Sequence, residues 1–257
     1  MFIDTHVHLN DSRLFEKLES VIEESINNNV KTWLVVSYDL ESSKKALEIA
    51  NKYENCYAAI GFHPTEIRGY SDEEYNWLES HLNDNKVVAL GEIGFDFYHD
   101  RTTYEEQYEA FIRQIRLAKK YHKPVSIHSR DALELTYKVL KEEHIEEVGG
   151  VMHSYSGSSE FAVNFIKLNL LLGISGPVTF KNGIKMKEVV EKVDLKYLLS
   201  ETDSPYLTPH PHRGKENGPK YIPLIVEEIA RLKNISIDEC AKQLMNNAEN
   251  LFSIKGE

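Results

Sequence analysis

Cysteine is nearly absent from this chain: among 257 residues only Cys56 and Cys240 occur, without a CxxC spacing. That excludes a disulfide framework and a thiol-redox motif, and it suits a reducing compartment, so a cytoplasmic location with two packed thiols is expected. No apolar run approaches the 18 or so residues of a membrane span, and the opening MFIDTHVHLN lacks the basic and apolar regions of a signal peptide, so no membrane partner is expected. Positive charge is short. Against 41 Asp and Glu stand 30 Lys and Arg, a formal net charge of −11 with no basic run, which argues against a long groove tracking nucleic-acid phosphates. Repeats and low-complexity tracts are missing, as are the GxSxG elbow, the P-loop and the GxGxxG turn. His144 is followed by Ile145, Glu146 and Glu147 without the second histidine of a zincin, and no Ser or Cys nucleophile is indicated.

What is present is regular alternation. Short β-branched runs are expected as strands at Phe2 to His8, Lys31 to Ser37, Cys56 to His63, Val87 to Phe95, Val125 to His128, Gly150 to Tyr155, Leu170 to Ser175 and Tyr197 to Asp203. Helical patterns follow each: Asp11 to Asn28, Glu41 to Tyr53, Asp72 to Leu82, Tyr104 to Tyr121, Ala132 to Glu143, Ser159 to Lys167, Ile184 to Val193 and Pro219 to Lys233. Eight βα units without a linker predict one α/β domain over 1–257, a TIM (β/α)8 barrel. The tail from Ser236 to Phe252 reads as one or two helices closing the bottom or side, and Pro205 to Pro219 as a long functional loop.

The unusual polar residues gather at the expected C-terminal strand ends: His6 and His8, His63, Glu92, His128, His153 and Asp203. In a barrel these ends converge on one mouth. Strand alternation turns Asp4, His6 and His8 inward and Ile3, Thr5 and Val7 toward the helices, and it turns Ser126 and His128 inward. Asp4 and Glu201, one layer deeper, are candidates to orient ligands from behind. Imidazoles with carboxylates are a donor set for two divalent ions, zinc, manganese, iron or, less well, magnesium, with a carboxylate able to bridge. Arg130 and Arg213 are candidate phosphate clamps. His81, His122 and His144 are expected on the surface.

These segments resemble the TatD-type metal-dependent deoxyribonucleases within the amidohydrolase-like barrels. The matching motifs, in family order, are FIDTHVHLN, IGFHP, GEIGFDFY, IHSRDA, MHSYSGS, ETDSPYL and PHRGKENGP. The resemblance covers essentially the whole chain and implies divalent-metal hydrolysis, usually of DNA from the 3′ end. Carried over by motif, His6, His8, Glu92 and Asp203 would hold one ion and Glu92, His128 and His153 the other, with Glu92 shared and His63 reaching the substrate phosphate. Asp203 would also take the proton of the attacking water. Two departures stand out: Tyr155 replaces the usual Phe, and Glu216, Asn217 and Gly218 stand where Arg, Asn and Glu are common, in a loop expected to touch substrate. The rivals are a metal-dependent ester or amide hydrolase, such as one acting on an aminoacyl ester of transfer RNA, and a non-catalytic metal-binding scaffold. With a charge of −11, attraction for DNA would rest on the ions and on His63, Arg130 and Arg213, which implies a short footprint.

Overall fold

A computed structural model describes residues 1–254 and shows a TIM barrel. Its strands and helices alternate: β1 (Phe2–Val7), α1 (Ser12–Phe15), α2 (Leu18–Asn27), β2 (Val30–Val36), α3 (Leu40–Lys52), β3 (Cys56–Ile60), α4 (Asp72–His81), β4 (Val87–Asp96) and α5 (Tyr104–Lys120). There follow β5 (Val125–Arg130), α6 (Leu133–Glu142), β6 (Gly150–Met152), α7 (Ser159–Ile166), β7 (Leu170–Ile174), α8 (Ile184–Lys192), β8 (Leu198–Ser200), α9 (Ile222–Lys233) and α10 (Ile237–Phe252). The eight strands pair in parallel in chain order. The seam between β8 and β1 is closed by the bridge of Val7 with Ser204 and by two backbone bonds, Asp203 N to His6 O and His8 N to Ser204 O, each 2.9 Å.

Period-two alternation sorts the strands into two apolar sets. Val35, Ile60, Ile127 and Ile174 face the helices, while Leu34, Val36, Ala59, Val151 and Leu199 fill the barrel. Met245, Ala248 and Phe252 of α10 pack into that inner set, and Asn247 of the same helix donates to Leu195 O and Leu198 O, both at 2.8 Å. The tail is therefore one helix, and it plugs the end where β8 begins, opposite the mouth. Helices α3, α4 and α5 each start in a capping box, Asp39 with Ser42, Ser71 with Glu74 and Thr103 with Glu106. Each cap holds N–H groups that the helix itself leaves free, worth about 1 kcal/mol.

Several expected boundaries move, for local reasons. The first helix breaks in two, because Asp11 caps a single turn and Lys17 (φ −128°, ψ 29°) lies outside helical geometry. β3 stops at Ile60, β6 at Met152 and β8 at Ser200, so His63, His153 and Asp203 sit on the loops that follow rather than on strands. In β8 the ladder ends where Thr202 turns to Asp4 and Asp203 takes φ +57°. Inward parity also fails at the start of β1. Ile3 packs in the inner set, not toward the helices, because the pairing with β2 shifts register between Phe2 and Ile3 and again between Asp4 and Val7. Among the described residues no helix is long and apolar enough to cross a membrane.

Candidate metal centre

Glu92 stands at the middle of the mouth, buried, with its two oxygens facing different partners. Oε2 lies 3.5 Å from His6 Nε2 and 3.8 Å from His8 Nε2. Oε1 lies 2.7 Å from His128 Nδ1, 3.8 Å from His63 Nε2 and 3.9 Å from His153 Nε2. Asp203 Oδ1 closes the group at 3.3 Å from His8 Nε2, 3.6 Å from His153 Nε2 and 3.9 Å from His6 Nε2. All seven residues expected at the mouth are thus brought together.

The second nitrogen of each ring shows which atom is left for a ligand. His8 Nδ1 donates to Val36 O at 2.9 Å, and His6 Nδ1 faces Ser126 Oγ at 3.4 Å. His128 Nε2 is 3.0 Å from Asp96 Oδ2. His153 Nδ1 lies 2.9 Å from Glu201 Oε1, out of line for a hydrogen bond and so an ionic contact. For His8 and His128 an acceptor on the outer nitrogen holds a proton there and leaves the inner nitrogen facing the centre. His63 is held from its own loop. Its Nδ1 meets the Thr65 hydroxyl at 2.8 Å, which itself donates to Glu66 Oε1 at 2.9 Å, and lies 3.2 Å from the Thr65 backbone N–H.

Burial and neighbouring charges set the protonation of the group. Burial pushes the Glu92 carboxyl up, but His63, His128 and His153 outweigh it and hold it well below the usual range. Asp203 is likewise held low, burial being outweighed by His153 and His8. His128, buried between Asp96 and Glu92, is raised to about 8, whereas burial and the neighbouring His128 pull His63 down to about 3. His6 is lowered by burial and by His153, whose ring stacks on it at 3.5 Å between centroids. His153 is raised well above the ordinary value, Glu201 and Asp203 outweighing burial.

The donor set fits divalent cations. Nitrogens and oxygens about 2.0 to 2.2 Å from one ion lie roughly 3.3 Å apart. His6 Nε2 and His8 Nε2 are 3.3 Å apart with Asp203 Oδ1 beside them, as close as two lone-pair nitrogens come when they share a cation. His6, His8 and Asp203 form one close cluster of donor atoms, His63, Glu92 and His128 a second, and His6, His153 and Glu201 a third.

Backbone and packing hold these groups in place. Gly94, between Glu92 and Asp96 on β4, has φ +144°, and a Cβ there would lie 1.9 Å from His128 O, so only glycine lets β4 approach β5 this closely. Gly173 does the same for Glu201, whose Oε2 would be 2.3 Å from an added Cβ. Two glutamines of α5 pin neighbouring loops. Gln107 accepts from Asp96 N and donates to Asp96 O, both at 2.9 Å, while Gln114 accepts from Phe62 N at 2.8 Å and donates to Phe62 O at 3.0 Å.

The sequence reading missed Asp96, Gln107 and Gln114. Asp96 lies four residues beyond Glu92 on one face of β4, so the alternation that found Glu92 also points to it. The glutamines stand seven apart, two turns of α5. Asp4 does not orient a ligand ring. Its carboxylate accepts from Thr202 N at 2.9 Å, Thr202 Oγ1 at 2.5 Å and His6 N at 3.3 Å, which fastens the β1–β8 seam. Glu201 Oε1 accepts from Ser154 N at 2.6 Å and lies 2.9 Å from His153 Nδ1. Arg130 lies on the rim with its guanidinium 4.0 Å over the Tyr98 ring, and Arg213 4.5 Å over Phe180. Neither has a carboxylate partner among the described residues. His122 and His144 are exposed as expected, but His81 is half-buried and stacked on Trp77. Tyr155 is buried, and its hydroxyl donates to Ser158 O at 2.9 Å, which gives the added oxygen a structural partner.

A profile of the TatD related DNase family matches residues 3–253. The chain belongs to the TatD family of metal-dependent hydrolases. It is 43% identical over 254 residues to a Bacillus subtilis protein described as an uncharacterized metal-dependent hydrolase, YabD, covering 99% of this chain and 100% of that one. It is 33% identical over 259 residues to the uncharacterized metal-dependent hydrolase TatD of Mycobacterium tuberculosis, covering 98% of each. Its fold is similar to the crystal structure of the Escherichia coli TatD homolog YjjV, with a TM-score of 0.94 and 32% identity over 99% of this chain and 98% of that one. The seven residues at the mouth come from six strands, β1, β3, β4, β5, β6 and β8, and the loops that follow them.

Proposed function

We propose that this TatD-family protein removes nucleotides from the 3′ end of DNA with two divalent ions, zinc, manganese or magnesium. The observation that carries the reading is the split of Glu92, one oxygen toward His6 and His8 and the other toward His128 and His153. His6, His8, Glu92 and Asp203 would hold one ion, and Glu92, His128 and His153 the other. Bound there, such ions lower the pKa of water and offset charge on a phosphate in its transition state. Asp203, whose side chain is 14% exposed against 6% for Glu92, is the carboxylate best open to an arriving water and takes its proton. His63, whose Nε2 faces the centre 3.8 Å from Glu92 Oε1, contacts a non-bridging phosphate oxygen. Arg130 and Arg213, free of carboxylates, grip phosphates at the rim.

The test is incubation of the purified protein with 3′-labelled single-stranded DNA and, separately, with an aminoacyl ester of RNA, each with and without chelator. Metal-dependent release of 3′ nucleotides is expected. Hydrolysis of the aminoacyl ester alone would replace the DNA reading, and activity surviving chelation would overturn the metal reading.

A further inference from the structure

Tyr206 follows Asp203 by three residues and stands at the mouth with 49% of its surface exposed, although large aromatics are usually covered. It is not a loose side chain. Its backbone N–H donates to Asp203 O at 2.8 Å, and its carbonyl accepts from Asn217 Nδ2. That asparagine is buried and also donates to Thr202 O at 2.9 Å. One ring face is covered by the Arg13 guanidinium, 4.5 Å from the ring centroid. Arg13 is itself fixed by two parallel bonds to Asp11, Nε to Oδ1 at 2.9 Å and NH2 to Oδ2 at 2.8 Å. The ring stands edge-on to His8, 6.3 Å between centroids.

Deepening the DNA reading and resting on it, we propose that Tyr206, backed by Arg13, is a stacking platform for the nucleobase of the nucleotide whose phosphate lies at the metal centre. A rigid, half-exposed aromatic ring with one face occupied offers its other face without the entropy cost of ordering a side chain. Stacking is tolerant of base identity, since every base has a π face. A guanidinium beneath the ring adds positive potential that suits a nucleotide rather than an apolar ligand. The Asp11 pairing keeps that guanidinium from swinging out to phosphate, a role left to Arg130 and Arg213. Asn217 acts from below by fixing the Tyr206 backbone.

The test compares fluorescein-labelled trinucleotides that carry a 3′-terminal base or an abasic 3′-terminal sugar. Binding is read by anisotropy in chelator, and kcat/KM is read with metal restored. In wild type the base-bearing end is expected to bind about tenfold more tightly than the abasic one. Tyr206→Ala should collapse that ratio to near one, Tyr206→Phe should restore it, and Arg13→Ala should give an intermediate ratio. Equal binding of the two ends by wild type, or an unchanged ratio in Tyr206→Ala, would overturn the platform while leaving the DNA reading intact. Failure of wild type to bind or cleave either trinucleotide would overturn both.

Discussion

Replacing Asp96 by Asn isolates one link between the packed scaffold and the centre. Asp96 uses both carboxylate oxygens: Oδ1 accepts from Tyr98 N at 3.0 Å and His99 N at 2.8 Å, and Oδ2 meets His99 Nδ1 and His128 Nε2, each at 3.0 Å. An amide has one acceptor oxygen, so Asn satisfies either the backbone pair or the imidazoles, never both. If the oxygen stays with the backbone, an NH2 group faces His128 Nε2 and favours the wrong tautomer. If it turns to His128, two N–H groups lose their acceptor. A carboxylate behind a ligating imidazole is worth about 10- to 100-fold in metal affinity or activity, or about 1.4 to 2.7 kcal/mol at 1.36 kcal/mol per tenfold. Tyr98 and His99 are exposed, so freed N–H groups turn to water and the loss is that of ordinary hydrogen bonds, about 0.5 to 1.5 kcal/mol of stability, or roughly 1 to 6 °C in melting temperature for a chain of this size. The assay is zinc affinity by competition with a chromogenic chelator, together with initial rates at saturating metal and thermal unfolding of the metal-free protein. Zinc affinity and rate both within twofold of wild type would refute the argument that Asp96 sets the tautomer of His128.

Gly94→Ala should destabilise the barrel by about 2 kcal/mol or more, because its Cβ meets His128 O at 1.9 Å with φ at +144°; chemical denaturation measures this, and a loss under 0.5 kcal/mol would contradict the close approach. Cys56 and Cys240 are buried and their thiols are pushed up to about 12 by burial, so an aromatic disulfide reagent at pH 8 should label neither in the native protein and both after denaturation. Chelation should abolish hydrolysis while far-ultraviolet circular dichroism stays unchanged, since the apolar sets that hold the barrel do not include the centre; unfolding on chelation would contradict this.

The barrel was legible because its signal is repeated: eight apolar runs, each followed by a helical pattern, leave little choice of layer. The residues that converge at the mouth were legible because His and carboxylate side chains at apolar strand ends break the local pattern. What was hidden is whatever depends on the path of the backbone between strands. The register shifts in β1 carry Ile3 inward and send Asp4 to Thr202, and no alternation count shows a bulge in advance. His63, His153 and Asp203 reach the centre from loops, whose course is set by contacts such as His63 N to Tyr38 O at 2.8 Å. Gln107 and Gln114 carry no charge and lie within an ordinary amphipathic helix, so their bonds to Asp96 and Phe62 emerge only once α5 is packed on β4.

The most direct test of the shared carboxylate is the number of divalent ions bound per chain, counted by native mass spectrometry during zinc titration of the wild type and of Glu92→Gln. Glutamine keeps the volume but loses the charge, and one of its two positions becomes an amino group facing imidazoles. Two ions per wild-type chain are expected, with both bound at least about 100-fold more weakly in Glu92→Gln, since one residue serves both. A single ion in the wild type, or a variant that loses one ion and keeps the other at unchanged affinity, would contradict the bridging role of Glu92.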